Sequence, residues 1–284
     1  MVAMSDLSTA EVTLLEQAEM NAWASMFAAA PAPLVQALGL ETHWFGPALA
    51  TLSRAIDIGQ FCRVQGLGLP GDDGTALDDA IAWFREAGSK NFLIQIPPGP
   101  DAEALETDAA EEGLTKFRRS WTKFRRAPTP MPAPPTDLEI VLAGPEQADD
   151  FGSTAAAGFG MPPTLSPWLG ALVTCEGWRC YVSYDGDRAI GAGAYFINGG
   201  SVWIGIGATR PEGRSRGSQS AILARRINDS IAEGARLIVT ETGSAVPGEP
   251  QTSFMRFGDT VRMEATGVGG RAPFGVIAQR VIAA

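Results

Sequence analysis

Residues 200–220 read GSVWIGIGATRPEGRSRGSQS, and the fold turns on how that stretch divides. A β-rich run opens at the Gly199-Gly200 turn and ends near Thr209. From Ser218 the pattern becomes helical: Leu223, Ile227 and Ile231 recur at four-residue intervals on one face, and Gly234 is placed to stop the helix. Between them lies a glycine- and arginine-bearing loop. The first turn of a helix has unpaired backbone N–H groups and the positive end of the helix dipole. Gly213 and Gly217 permit conformations that aim several N–H groups at one point, and Arg214 and Arg216 add charge there. Such a loop suits a pyrophosphate. It is neither GxxxxGK[ST] nor GxGxxG.

Working outward, LEIVLAG (138–144) reads as a strand and PEQADDFGSTAAAGFG as a helix with Pro145 in its first turn. Two β-rich runs around Asp185-Gly186-Asp187 read as a hairpin. After the central helix, RLIVTETG (236–243) is a further strand, residues 252–266 are expected to be helical, and FGVIAQRVIA closes as a strand. The fold class is therefore α/β, a mixed and mostly antiparallel sheet with helices on both faces. The proline-rich APTPMPAPPTD (127–137) cannot continue a helix or join the middle of a sheet, so an extended spacer is expected. It divides the chain into 1–127, a linker at 128–136, and 137–284. The first part has a similar element order. ALATLSRAI, FCRVQGLGL and NFLIQIP read as strands, TALDDAIAWFREAG and DAEALETDAAEEG as helices, and TKFRRSWTKFRRA as a final strand.

The loop resembles the cofactor loop of the GNAT acyltransferase superfamily, Arg/Gln-x-x-Gly-x-Gly/Ala. The match is Arg214-Ser215-Arg216-Gly217-Ser218-Gln219, with Gln219 where Gly or Ala is usual. The element order is similar to the superfamily from about residue 138 onward. The whole chain resembles tandem bacterial members, in which a degenerate GNAT-like half precedes an intact one. The resemblance implies an acetyl-CoA or other acyl-CoA co-substrate, with residues 214–219 at its pyrophosphate. Backbone groups of Gly207, Ala208 and Thr209 would hold the pantetheine arm, one N–H polarising the thioester carbonyl. In WIGIGAT, Gly205 and Gly207 are expected to leave room on one face while Ile204 and Ile206 point into the core on the other. Alternatively, those glycines fit a helix packed above. The corresponding turn of the first part, LPGDDGTAL, carries Asp72 and Asp73, which would repel a pyrophosphate.

Acyl transfer to an amine needs a proton acceptor and a route for thiolate release. Glu241, closing the strand after the central helix, is the base candidate; capping a turn or binding a substrate ammonium is its other reading. The superfamily often places a tyrosine on the next helix as acid. Here QTSFMR has Phe254 at that place and Ser253 as the remaining hydroxyl. A thiol of ordinary pKa, about 8.5, leaves without much help. The implied activity is N-acyl transfer to a small-molecule amine. The alternatives are a non-catalytic CoA-binding regulatory or scaffold protein, variant acyl-CoA chemistry, and an ordinary nucleotide-binding module.

The chain has 284 residues, 45% of them hydrophobic, and a formal net charge of −10. That balance argues against a general nucleic-acid partner. No apolar run reaches membrane-spanning length and the amino terminus lacks a signal-peptide pattern, so no membrane partner is expected. Cys62, Cys175 and Cys180 show no metal-ligand spacing and read as reduced thiols of a cytoplasmic protein. His43, the single histidine, reads as structural, which leaves no zinc or triad chemistry and no metal expected. KFRRSWTKFRRA (116–127) is strongly basic and reads as a solvated or salt-bridged strand face. Met161-Pro162-Pro163 and Trp168 could wall an acceptor site or simply pack. Oligomeric state is open, a homodimer included.

Overall fold

The computed structural model describes residues 7–56, 58–116, 123–241, 260–264 and 276–280, in two compact units, Met1–Thr242 and Gly243–Ala284. The first unit opens with α1 (Thr9–Ala28), started by a capping box in which Ser8 Oγ accepts from Glu11 N and the Glu11 carboxylate accepts from Ser8 N. α2 (Ala32–Leu38) stops at Gly39, whose φ of 57° suits a residue without Cβ. Three antiparallel strands follow, β1 (Leu40–Phe45), β2 (Ala48–Ser53) and β3 (Arg63–Gln65). After α3 (Ala76–Glu86), β4 (Leu93–Ile94) joins β3 in parallel, and α4 (Ala102–Glu111) follows. α1, α2 and β1 go beyond the sequence expectations; the spacing of Ser8 and Glu11 is the signal that marks α1.

β5 (Lys123–Arg126) lies in the basic run, but it does not complete this first sheet. Its basic side chains meet the acidic side of α1. Lys123 Nζ lies 2.5 Å from Glu16 and 2.9 Å from Glu19, and Arg125 pairs with Glu11. That anchoring carries β5 to the edge of the second sheet.

The second sheet is built from β6 (Glu139–Leu142), β7 (Trp178–Asp185), β8 (Arg188–Asn198), β9 (Ser201–Thr209) and β10 (Leu237–Glu241), in the order β5-β10-β9-β8-β7-β6. Between β6 and β7 run α5 (Ala148–Phe159) and α6 (Ser166–Ala171); α7 (Ser218–Ala232) connects β9 to β10. β10 is parallel to β9, and β6 to β9 are mutually antiparallel. Tyr181, Tyr195, Val202 and Ile204 pack one face against Ile222 and Ile227 of α7. The other face packs Trp178, Trp203 and Ile206 with Phe151 of α5, Trp168 of α6 and Trp23, Met26 and Phe27 of α1. Two buried indoles fix α1 there: Trp168 Nε1 donates to Met26 O at 2.7 Å and Trp178 Nε1 to Ser25 Oγ at 2.9 Å. Trp168 thus has a packing role.

The proline-rich segment has no regular structure, but it is strapped down. Met131 N donates to Asn228 Oδ1, and Asn228 Nδ2 donates back to Met131 O, each at 2.8 Å. In the second unit, β11 (Thr260–Glu264) pairs antiparallel with β12 (Val276–Arg280). The helix expected over 252–266 is thus a strand at 260–264, where β-branched Thr260 and Val261 favour the extended chain; 252–259 and 265–266 lie outside the described residues. His43 is exposed, its ring tilted against that of Phe45 with 4.5 Å between centroids. All three cysteines are free. Among the described residues, no helix is long and apolar enough to cross a membrane and no acidic, Cys or His cluster could hold a metal.

Candidate functional site

The site candidate lies where β9 parts from β10. Their parallel register runs only from Ser201↔Leu237 to Ile204↔Thr240. Past it, no described strand pairs with β9 on that side as it continues to Thr209. Arg210 N donates to Ile190 O at 2.8 Å, so the backbone groups of Arg210 face β8. By the alternation of an antiparallel ladder, those of Thr209 face the open edge.

The β8–β9 ladder is interrupted here: Ala192 faces Ala208 but Ala194 faces Gly205, so a bulge spans Ile206 and Gly207. Ile206 has φ 53°, a conformation a β-branched residue adopts only at a cost of about 1–3 kcal/mol. The bulge also corrects the expected facing of WIGIGAT. Ile204 packs under α7, whereas Ile206 joins the α1–α5 side. The two glycines are likewise on opposite faces. A Cβ at Gly205 would lie 1.9 Å from the Trp203 ring, and one at Gly207 would lie 2.9 Å from Gln219 Oε1. The space beside each glycine is therefore filled by a neighbouring side chain, and what stays open on β9 is its backbone edge.

Two side chains of α7 stitch the broken ladder. Gln219 Nε2 donates to Ala192 O (3.0 Å), Ala208 O (2.7 Å) and Thr209 Oγ1 (3.1 Å). One face further along, Arg226 Nη1 donates to Ala194 O (2.9 Å) and Gly205 O (2.8 Å). Burial pulls the Arg226 guanidinium down to about 10, so it stays charged at neutral pH. Gln219 was expected in the cofactor loop; its amide faces the sheet instead. Arg226 was not anticipated. Its signal was a cation on the apolar face of the helix, between Ile222 and Ile227.

The loop after β9 begins with a 3₁₀ turn, Pro211–Gly213. Ser215 (φ 64°) and Gly217 (φ 79°) take left-handed conformations just before α7. Gly217 is the N-cap, and no side chain caps the helix, so its first-turn N–H groups are not claimed by a cap. Ser218 Oγ is turned inward, 2.7 Å from Ser183 Oγ. Arg216 is braced by Asp137 at 2.5 Å and by Asp185, which together hold its pKa well above the ordinary arginine value. Its charge is therefore already matched. Among the described residues, Arg214 is exposed and has no ion pair, while the Arg210 guanidinium meets the hydroxyls of Ser153 and Thr154. Asp137 and Asp185 were not foreseen as neighbours of the loop; nothing local in the sequence links them to it. Glu241 ends β10, in register with Lys123 of β5; its side chain and Ser253 lie outside the described residues.

The corresponding turn of the first sheet is closed by its own carboxylates. Asp72 accepts from Gly68 N at 2.7 Å and Gly74 N at 2.9 Å. Asp73 accepts from Thr75 N at 3.1 Å, and these Thr75 contacts draw its pKa down.

Strand, two helices, three antiparallel strands, helix and parallel strand is the succession of a GNAT sheet, and the chain carries a GNAT-type fold. The first sheet repeats part of it: three antiparallel strands, a helix, then a parallel strand. No family model and no curated protein matches the chain. Among solved structures it is similar to a GCN5-related N-acetyltransferase from Kribbella flavida, with 15% identity over 77% of this chain and 86% of that one and a TM-score of 0.46. It is also similar to an aminoglycoside N-acetyltransferase in complex with CoA, with 14% identity over 40% of this chain and 82% of that one and a TM-score of 0.33. A candidate acetyltransferase from Pyrococcus horikoshii matches at 19% identity and a TM-score of 0.30 over 34% of this chain, which spans 35% of that protein's length.

Proposed function

We propose that this protein moves an acetyl or other short acyl group from acyl-CoA to an amine of a small molecule, the second sheet carrying the reaction. The observation that carries the reading is the backbone edge of β9 beyond Ile204, unpaired among the described residues, leading directly to the uncapped amino end of α7. An extended amide-bearing arm can add to such an edge, with backbone groups of Gly207 and Thr209 as partners; those of Ala208, expected as a third, face β8, and its carbonyl accepts from Gln219. A pyrophosphate suits the loop, held by N–H groups of Ser215, Gly217, Ser218 and Gln219, with Arg214, which has no ion pair among the described residues, supplying charge. Arg216 braces that loop. Glu241, at the end of the neighbouring strand, is the proposed base and Ser253 a proposed donor to the departing thiolate. The first half, whose turn N–H groups are taken by Asp72, is proposed to act structurally. The acidic chain favours a cationic acceptor by long-range attraction.

The test is thiol release from acetyl-CoA with a panel of amines, beside thermal protection by CoA and by ATP. Turnover with at least one amine is expected, with Glu241→Gln lowering kcat by about 10²–10⁴. Protection by CoA without turnover would favour a non-catalytic CoA-binding protein, the reading Phe254 supports. Protection by ATP as strong as by CoA would favour a nucleotide-binding module. Loss of CoA affinity is expected in Arg214→Glu/Gly217→Glu; intact affinity there would remove the loop assignment.

A further inference from the structure

Arg226 is buried, 4% exposed, and its charge has no carboxylate partner among the described residues. A lone buried cation is costly unless its surroundings use it. Its partners are two backbone carbonyls, Ala194 O and Gly205 O, one on each strand beside the bulge. The backbone is fitted to it: a Cβ at Gly193 would lie 3.1 Å from Arg226 Cζ, and one at Gly207 3.6 Å from its Nη2. Ile206, strained at φ 53°, follows the carbonyl it holds.

The Gly205 carbonyl belongs to the same peptide unit as the Ile206 N–H. In a trans peptide these two groups point in opposite directions. Gly205 O is turned toward β8 and Arg226, so the Ile206 N–H is turned away, past the last β9–β10 registered pair at Ile204. A charged donor on a carbonyl is about twice as strong as a neutral one and polarises the peptide it holds, making its N–H a better donor. We propose that Arg226 is a positioning residue: it holds the bulge and strengthens the Ile206 N–H as a hydrogen-bond donor to the acyl carbonyl oxygen. The inference rests on the acyl-CoA reading of the same site. Its chemistry is electrostatic, stabilising negative charge as it develops on that oxygen, and Arg226 itself touches no substrate.

The experiment uses the full chain with [1-¹³C]acetyl-CoA, reading the thioester carbonyl stretch by difference infrared spectroscopy beside steady-state kinetics. In the native protein the band should lie below that of free acetyl-CoA. Arg226→Met should return it toward the free value and lower kcat by about 10–10²-fold, with KM for acetyl-CoA within about threefold. Arg226→Lys should fall between them. Ile222→Val, which loosens the same buried face of α7 without touching either carbonyl, should lower stability and leave the band in place. Should Arg226→Met fail to fold, Arg226→Lys against Ile222→Val decides. A native band and native kcat in a folded Arg226 variant overturn the inference alone. A native protein that binds no acetyl-CoA overturns the acyl-CoA reading and this inference with it.

Discussion

Arg216 Nη2 lies 2.5 Å from the Asp137 carboxylate, joining the glycine loop to the proline-rich segment that precedes β6. Thr136 Oγ1 adds a bond to Arg216 O at 3.2 Å, and Asp185 meets the same guanidinium from the β7–β8 turn. The arginine that looks most central to an anion site is thus a brace, and Arg214 is a loop arginine with no ion pair among the described residues. Arg214→Gln should weaken CoA binding by about 10–100-fold, as expected for a lost charge-assisted bond. Arg216→Gln should cost about fivefold or less, the scale of an exposed ion pair. Calorimetric titration with CoA checks the order, and the reverse order would show that Arg216 itself meets the anion.

The same brace gives a pH signature. Arg216 holds the Asp137 and Asp185 carboxyls below the usual carboxylate range. For depressed acids the stabilisation is present above the unfolded value, about 3.9, and is lost as pH falls through the lower folded values. The native protein should therefore lose thermal stability below about pH 4 more steeply than Arg216→Gln. Parallel acid limbs for the two proteins would place the brace elsewhere.

Gly205 is fixed by packing. Because its missing Cβ is occupied by the Trp203 ring, Gly205→Ala must displace a buried indole and should cost about 1–3 kcal/mol in urea unfolding. In a Trp203→Leu background the same change should cost distinctly less. Equal costs in both backgrounds would mean that the backbone, not the indole, demands glycine.

Much of the second half was legible because its signals are local. The Asp-Gly and Gly-Gly turns, the four-residue spacing of Leu223, Ile227 and Ile231, and Gly234 mark their elements without help from distant residues. The bulge left no such mark. Strict alternation places Ile204 and Ile206 on one face, and only the mismatch of Ala192–Ala208 against Ala194–Gly205 reverses it. Likewise, the basic character of 123–126 was visible, but its place in the second sheet depends on Glu11, Glu16 and Glu19, more than a hundred residues earlier. The site was half legible for the same reason. Loop and strand could be named, whereas the partners of Arg216, Gln219 and Arg226 come from other elements.

In the first half, the Asp72 carboxylate takes the turn N–H groups that an anion would need. CoA should therefore bind with a stoichiometry of one per chain, read by calorimetry. Asp72→Ala should destabilise the turn by about 1–2 kcal/mol and leave that stoichiometry unchanged. Two sites in the native chain would contradict the structural role proposed for this half.

The buried cluster that anchors β5 should behave as a coupled unit. Arg63 Nη2 is 2.6 Å from Glu19 Oε1 and stacks 4.1 Å over the Trp23 ring, while Lys123 meets Glu16 and Glu19. Burial pushes the Glu16 carboxyl up, and Lys123 opposes that push. Lys123→Met removes the opposing charge and should cost about 3–5 kcal/mol at neutral pH; Glu16→Met/Lys123→Met should cost much less. The sign of the pH dependence follows. A carboxyl raised above its unfolded value binds its proton more tightly in the fold, so stability is greatest below about pH 4.3 and falls as pH rises through the raised folded value. Lys123→Met should therefore be relatively more stable in mild acid than at neutral pH, in contrast to the double variant. Urea unfolding across that range measures it, and a pH-independent deficit in Lys123→Met would show that lost packing, not an unpaired Glu16, sets the cost.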